Sequence, residues 1–187
     1  MRSGIRLVAA TGLDADVLSQ AGERLFVQAY GSYSPADDLA THVREYFGRD
    51  SVAAELQKPD VLYSIARDGD AIAGFVKIRL GAAHDIIPAA DAIEVQQLYV
   101  DAAWQRKGVG SALMDWAVSA AREQGCAGLW LSVWQHADWA TKFYQAYGFR
   151  QVGTAKFWLG RTCFMDYLMW LSLGRAETGH CLPSHSS

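Results

Sequence analysis

Cysteine is scarce in this chain. Cys126, Cys163 and Cys181 are odd in number and far apart, and no Cys-x-x-Cys or Cys/His cluster has zinc-ligand spacing, so neither a disulfide framework nor a metal site is expected. A reducing compartment is the simplest setting. A basic excess is also missing: 17 Lys plus Arg stand against 20 Asp plus Glu, a formal net charge of −3. That takes weight from nucleic-acid binding and still permits a cationic substrate. No apolar run approaches the roughly 20 residues of a membrane span, and no apolar signal core follows Met1 to Arg6. The expectation is a cytoplasmic protein that binds neither membrane nor nucleic acid. Internal repeats and dividing linkers are absent as well. What is there is a chain of 187 residues with 51% apolar and 20% charged residues, enough for one well-filled domain. That domain is expected over residues 1–173. The polar, aperiodic stretch 174–187 reads as a flexible tail.

Strand and helix patterns are mixed along the chain. Ile5 to Ala9 reads as a first strand, and Gly12 to Ala29 has helical spacing at Leu13, Val17, Leu18, Ala21, Leu25 and Phe26. After a break at Gly31 to Pro35, a second helix to about Phe47 is predicted, with Ser34 as its N-cap and Pro35 at its first position. A short helix at Ser51 to Lys58 follows. Val61 to Arg67 and Ala71 to Leu80 form a hairpin about Asp68-Gly69-Asp70, and Ile93 to Val100 is a third long strand. A helix from Gly108 to Gln124, stopped by Gly125, leads to a strand at Leu129 to Trp134. A helix at Asp138 to Tyr147 and two closing strands, Phe149 to Leu159 and Thr162 to Leu171, complete an α/β order.

Gln105-Arg106-Lys107-Gly108-Val109-Gly110 lies between a strand and an amphipathic helix. Glycine lets a backbone approach phosphate closely, the helix start adds positive potential, and Arg106, Lys107 and the Ser111 hydroxyl add to both. A Walker loop needs Gly-Lys-Ser/Thr, which is absent, and the dinucleotide fingerprint needs a third glycine where Leu113 stands. On the loop alone, a phosphate cradle and a plain helix start remain about equally open.

The surroundings narrow this. Gln105-x-x-Gly108-x-Gly110 after Leu98-Tyr99-Val100 resembles the core motif of the GCN5-related N-acetyltransferases (GNAT). Leu129 to Trp134 followed by Phe143-Tyr144-Gln145-Ala146-Tyr147-Gly148-Phe149 resembles the second half of their signature. The resemblance spans roughly residues 5 to 172. Within the family, Leu13 to Asp16, Phe26 to Gly31 and Glu94 to Val100 are similar to the branch that includes the bacterial spermidine/spermine acetyltransferase PaiA. The family's fold is then implied: a mostly antiparallel sheet of about six to seven strands, with four to five helices, splayed between its fourth and fifth strands at the cofactor cleft. Acetyl-coenzyme A is implied as donor, with pyrophosphate on the amides of Arg106, Lys107, Gly108, Val109, Gly110 and Ser111. Leu98, Tyr99 and Val100 would offer backbone groups to the pantetheine arm, and an amide near Val100 could face the thioester oxygen.

An alkylammonium cannot attack a thioester until it loses a proton. Glu94 is the candidate base: by strand alternation it is expected on the face of Gln96, Leu98 and Val100, where a carboxylate needs a reason, and the family often places its base there. Tyr144 is the candidate acid, while Phe143 reads as core. Relatives often carry an Asn where Ala137 stands here, so that cofactor contact is expected to be missing or supplied by a neighbour. His136 reads as a solvated loop histidine. Tyr30, Tyr33, Gln96 and Tyr99 are candidates to bound the acceptor, and Asp37, Asp38, Glu45 and Asp91 could draw a cation. Three functions stay open: acetylation of a small-molecule amine (polyamine-like or an amine-bearing toxin), acetylation of a peptide N-terminus or lysine, or non-catalytic acyl-coenzyme A sensing. A monomer or a homodimer is expected, the latter using exposed aromatics such as Trp158 or Trp170.

Overall fold

The computed structural model describes residues 4–174. The expected tail, apart from Gly174, lies outside the described residues. Seven strands, β1 (Ile5–Ala9), β2 (Val61–Asp68), β3 (Ala71–Arg79), β4 (Ile93–Val100), β5 (Gly128–Trp134), β6 (Arg150–Leu159) and β7 (Thr162–Ser172), form one sheet in the order β1-β2-β3-β4-β5-β7-β6. All neighbours are antiparallel except β4 and β5. Those two are joined through α4 (Val109–Glu123), the crossover that parallel pairing requires.

The helices lie in two layers. Leu18, Leu25 and Phe26 of α1 (Ala15–Tyr30), Phe47 of α2 (Ala36–Phe47) and Val52 of α3 (Arg49–Leu56) pack on Tyr63, Ile65 and Phe75. On the other face, α4 buries Val109, Leu113, Met114 and Ala117 against Val76, Ile78, Ile93 and Leu129, and α5 (Asp138–Tyr147) adds Ala140. The helices α1, α2, α4 and α5 are amphipathic, so one flank of each packs inward and the other meets water, whereas α3 buries only Val52. Among the described residues no helix is long and apolar enough to cross a membrane.

Three expectations are corrected. Pro35, not Ser34, stands at the N-cap of α2, with φ −57° and ψ 140°; its carbonyl already accepts from the Leu39 amide at 2.9 Å, a job that its locked φ does not impede. Trp170 is buried rather than exposed, packed with Trp130 and Leu168 beneath Ile87 and Ala92, whereas Trp158 is exposed. Asp38 is buried and unavailable to a substrate. It accepts from the Arg161 amide at 3.1 Å and the Thr162 hydroxyl at 2.6 Å, pinning α2 to the β6–β7 turn. Those hydrogen bonds, Thr162 first, hold its carboxyl below the ordinary range.

Two features of β4 shape everything functional. Its pairing with β5 is confined to Ile93 with Leu129 and Glu94 with Trp130, so the strands splay beyond that point. Its pairing with β3 shifts register between Lys77–Gln97 and Ile78–Val95, which makes Gln96 an extra, bulged residue. A bulge reverses the side-chain alternation on either side of it. Ile93 and Val95 face the α4 layer, and so do Leu98 and Val100.

Candidate active site

Two backbone reversals build the loop before α4. Asp101 caps a short 3-10 turn, accepting from the Ala103 amide at 2.9 Å. Arg106 and Gly108 then take positive φ, 57° and 83°, a run that brings successive amides toward one side. The first helical hydrogen bond runs from Ala112 to the Gly108 carbonyl at 3.0 Å; the amides of Val109, Gly110 and Ser111 precede it and have no partner within the helix. Gly110 leaves bare backbone here, and a Cβ on it would meet Phe143 at 3.6 Å and Val100 at 3.7 Å. The Arg106 side chain is exposed. Lys107 folds back to donate to the Ala103 carbonyl, and Gln105 donates to the Val100 carbonyl at 3.2 Å. Beside the loop, the β5-facing edge of β4 beyond Glu94 has no strand partner among the described residues, so a row of backbone groups is open to an extended ligand.

On the other face of the splay lies a cavity of about 590 Å³. Gln96, Gln97 and Tyr99 of β4 line it from one side of the gap, and Ser132 and Trp134 of β5 from the other. Tyr30 and Tyr33 close it from α1 and the loop after it; Tyr33 packs on Trp134 with ring centroids 4.9 Å apart. Glu94 also lines this cavity. The expectation that it shares a face with Leu98 and Val100 is wrong, because the bulge at Gln96 intervenes. Its carboxylate accepts from the Gln96 side chain, Nε2 to Oε2 at 2.8 Å.

Tyr144 belongs to the opposite layer, packed with Phe143 and Tyr147 against the α4 core. Burial, then the nearby Tyr30, push its phenol well above the ordinary range. Burial raises Tyr99 too, with further contributions from Tyr30 and Tyr144. The splay therefore brings three phenols from two layers together, each holding its proton at neutral pH. Tyr30 is pushed up to about 12, by burial and then by Asp166.

Several cavity residues escaped the sequence reading. Lys77 is buried and pairs with Glu55 at 2.5 Å, Arg79 reaches the same carboxylate at 3.3 Å, and Lys58 also donates to it. Burial alone would raise the Glu55 carboxyl; hydrogen bonds from Lys58 and Lys77 outweigh it and hold Glu55 at about 2. His42 stacks between Phe26 and Tyr46, at 4.5 Å and 4.3 Å, and burial pushes its imidazole down to about 4. Asp166, only 5% exposed, lines the cavity from β7. Its burial raises its carboxyl, partly offset by the Ser132 hydroxyl. A lone Asp inside Cys163-Phe164-Met165-Asp166-Tyr167-Leu168-Met169 was the available signal, the same one that singled out Glu94.

Of the remaining candidates, one reaches the cavity. Glu45 lines the cavity, whereas Asp37 and Asp91 are exposed and away from it. His136 is exposed, near Trp134. Ala137 stands at the N-cap of α5, buried and with no side-chain cap. One turn on, the buried Thr141 hydroxyl has no partner among the described residues.

The profile of the acetyltransferase (GNAT) family matches residues 24–149. The chain is 24% identical over 168 residues to an uncharacterized N-acetyltransferase from the pepI 3′ region of Lactobacillus delbrueckii subsp. lactis, covering 89% of this chain and 96% of that one. It is 28% identical over 156 residues to an uncharacterized N-acetyltransferase of Mycobacterium tuberculosis strain H37Rv, covering 83% and 96%. In fold it is similar to the PaiA N-acetyltransferase of Thermoplasma acidophilum, solved in complex with coenzyme A, with a TM-score of 0.74, 17% identity, and coverage of 90% and 98%. With the family profile matching more than half of its length, the chain belongs to the GNAT acetyltransferases.

Proposed function

We propose that the protein moves an acetyl group from acetyl-coenzyme A to a primary amine of a small molecule, with Glu94 as general base and Tyr144 as general acid. The observation that carries this reading is the splay between β4 and β5, with a cavity holding Glu94 on one face and Tyr144 arriving from the other. The unpaired amides of Val109, Gly110 and Ser111, beside the left-handed Arg106 and Gly108, suit the pyrophosphate. The open edge of β4 from Leu98 to Val100 suits the pantetheine arm. Bound there, acetyl-coenzyme A supplies an activated acyl carbon on a thiol leaving group.

The protein's own part is proton management and positioning. Glu94 takes the proton from the acceptor's ammonium, directly or through water, and leaves a nitrogen able to attack. As the nitrogen–carbon bond forms and the carbon–sulfur bond breaks, Tyr144 gives its proton to the sulfur. It regains one, through solvent, from the nitrogen that must shed its second. Burial keeps Tyr144 protonated until that moment. The Tyr33–Trp134 contact spans the side of the cavity and favours a slender small-molecule acceptor over a peptide, which needs an open groove.

A panel of alkylamines, peptide N-termini and lysine peptides, assayed for thiol release from acetyl-coenzyme A, tests this. Free amines are expected to lead. Glu94→Gln and Tyr144→Phe are each expected to lower kcat, Glu94→Gln by roughly 100- to 1,000-fold, while calorimetric binding of coenzyme A is retained. A lead for peptides would replace the acceptor. No release with any acceptor would make the protein an acyl-coenzyme A sensor, and unchanged kcat in both variants would remove their assigned roles.

A further inference from the structure

Among the described residues, the buried carboxylate of Asp166 has no counter-ion. Its Oδ1 is hidden from solvent, and among the described residues it has no hydrogen-bond partner and no Lys, Arg or His within 4 Å. Buried charges are ordinarily paired, and a carboxylate spared that pairing is costly to keep. Asp166 nonetheless lines the cavity. Directly across from it on β5 is Trp134, whose ring is 4.9 Å from Tyr33 and 5.7 Å from Phe164. A carboxylate beside clustered aromatic faces is an environment for an organic cation.

The two ends of the cavity differ in sign. At the Glu94 end, Arg79 is the direct cross-strand neighbour of Glu94 and Lys77 of Gln97, and the pair share the Glu55 carboxylate with Lys58. Three cations on one anion favour an uncharged nitrogen there, which is the form that attacks. At the Asp166 end no cation of the described residues pairs with the carboxylate, which favours a nitrogen that stays charged.

We propose that Asp166 anchors a second cationic nitrogen of the acceptor, so that the substrates of this enzyme are amines bearing another ammonium group at a distance from the reacting one. This rests on the acetyl-transfer reading of the same cavity. Glu94 is level with Trp130, and Asp166 with Trp134 one strand further on. Four residues along a strand are about 13 Å, and each strand spacing adds about 5 Å sideways. An acceptor that meets both carboxylates is therefore elongated, with a chain of several methylenes between its nitrogens.

The test compares α,ω-diaminoalkanes with 1-aminoalkanes of equal chain length, on the wild type and on Asp166→Asn, a nearly isosteric change. The wild type is expected to have a KM for the longer diamines roughly tenfold or more below that for the matching monoamines, and Asp166→Asn to lose that preference. The monoamines, which lack the second nitrogen, are the reference series against which that loss is read. A preference retained in Asp166→Asn overturns the proposal. So does an equal fall in kcat for both amine series with a changed pH–rate profile, which would make Asp166 a base. Calorimetric titration of a diaminoalkane into the protein without acetyl-coenzyme A gives a readout independent of turnover. Binding that weakens in Asp166→Asn supports the anchor even if no acetyl transfer is seen, and equal or absent binding in both proteins removes it.

Discussion

Gln96 donates its side-chain amide to the Glu94 carboxylate at 2.8 Å, and the same residue is the bulge that turns Glu94 into the cavity. Backbone and side chain of one glutamine thus aim and hold the candidate base. Hydrogen bonds to charged groups contribute about 1.5–3 kcal/mol. Gln96→Ala is expected to lower kcat by roughly 10- to 100-fold, with little change in the KM for acetyl-coenzyme A. Steady-state kinetics at saturating donor check this, and a rise in KM with kcat intact would place Gln96 in acceptor binding instead.

The start of α4 separates stability from cofactor affinity. A methyl on Gly110 meets Phe143 and Val100 at ordinary contact distance, 3.6 and 3.7 Å, so Gly110→Ala is expected to leave thermal stability unchanged or to raise it by about 0.4–1 kcal/mol. The same methyl crowds the amides proposed to hold pyrophosphate, and coenzyme A affinity should fall roughly tenfold. Gly108→Ala differs because φ is 83° there, and it should cost about 1–2 kcal/mol. Calorimetry of coenzyme A together with thermal melts separates the two outcomes.

His42 makes stability depend on pH in a defined window. Burial lowers its pKa from 6.5 to about 4, so the folded state prefers the neutral ring and the unfolded state takes the proton first. This contribution is complete above pH 6.5 and is lost as pH falls toward 4. Melting temperatures of the wild type should therefore fall across that window relative to His42→Phe. Glu55, held at about 2, adds a loss at lower pH in both proteins and cancels in the comparison. Parallel curves between pH 6.5 and 4 would contradict the burial of His42.

Asp166 has the opposite sign. Burial raises its carboxyl, so the folded state prefers it protonated. That preference stabilises the fold at low pH and is lost as pH rises through the raised value. Asp166→Asn is expected to melt higher than the wild type at neutral pH, by roughly 2–4 °C per kcal/mol of relieved penalty. The gap should close in acid. A variant that melts lower at neutral pH would show that Asp166 stabilises the empty protein.

Element order was legible because it depends on local pattern. Helical spacing at Leu18, Leu25 and Phe26, the turn glycines Gly69 and Gly125 at positive φ, and the apolar strand runs all act within a few residues. The loop from Gln105 to Ser111 was legible for the same reason: its glycines and its helix start are local demands. Ser34 misled because two adjacent residues both suit a helix start, and only the carbonyl bonded by Leu39 distinguishes them.

The face of Glu94 was not legible. Regular alternation puts it with Leu98, and one inserted residue reverses that, yet the insertion is defined only by pairing with Lys77 and Ile78 on another strand. Asp166 was passed over for a similar reason, since a carboxylate in a strand is unpaired only in relation to what surrounds it in space.

The residues alone determined the elements, the phosphate-suited loop and the family signature, because each arises from neighbours in the chain. Tertiary structure alone decided which side chains share the cavity: the bulge that aims Glu94, the splay that admits Tyr144 toward Tyr30, and the burial of Asp166 with no paired cation among the described residues. Those depend on contacts between residues tens of positions apart, and no periodicity records them.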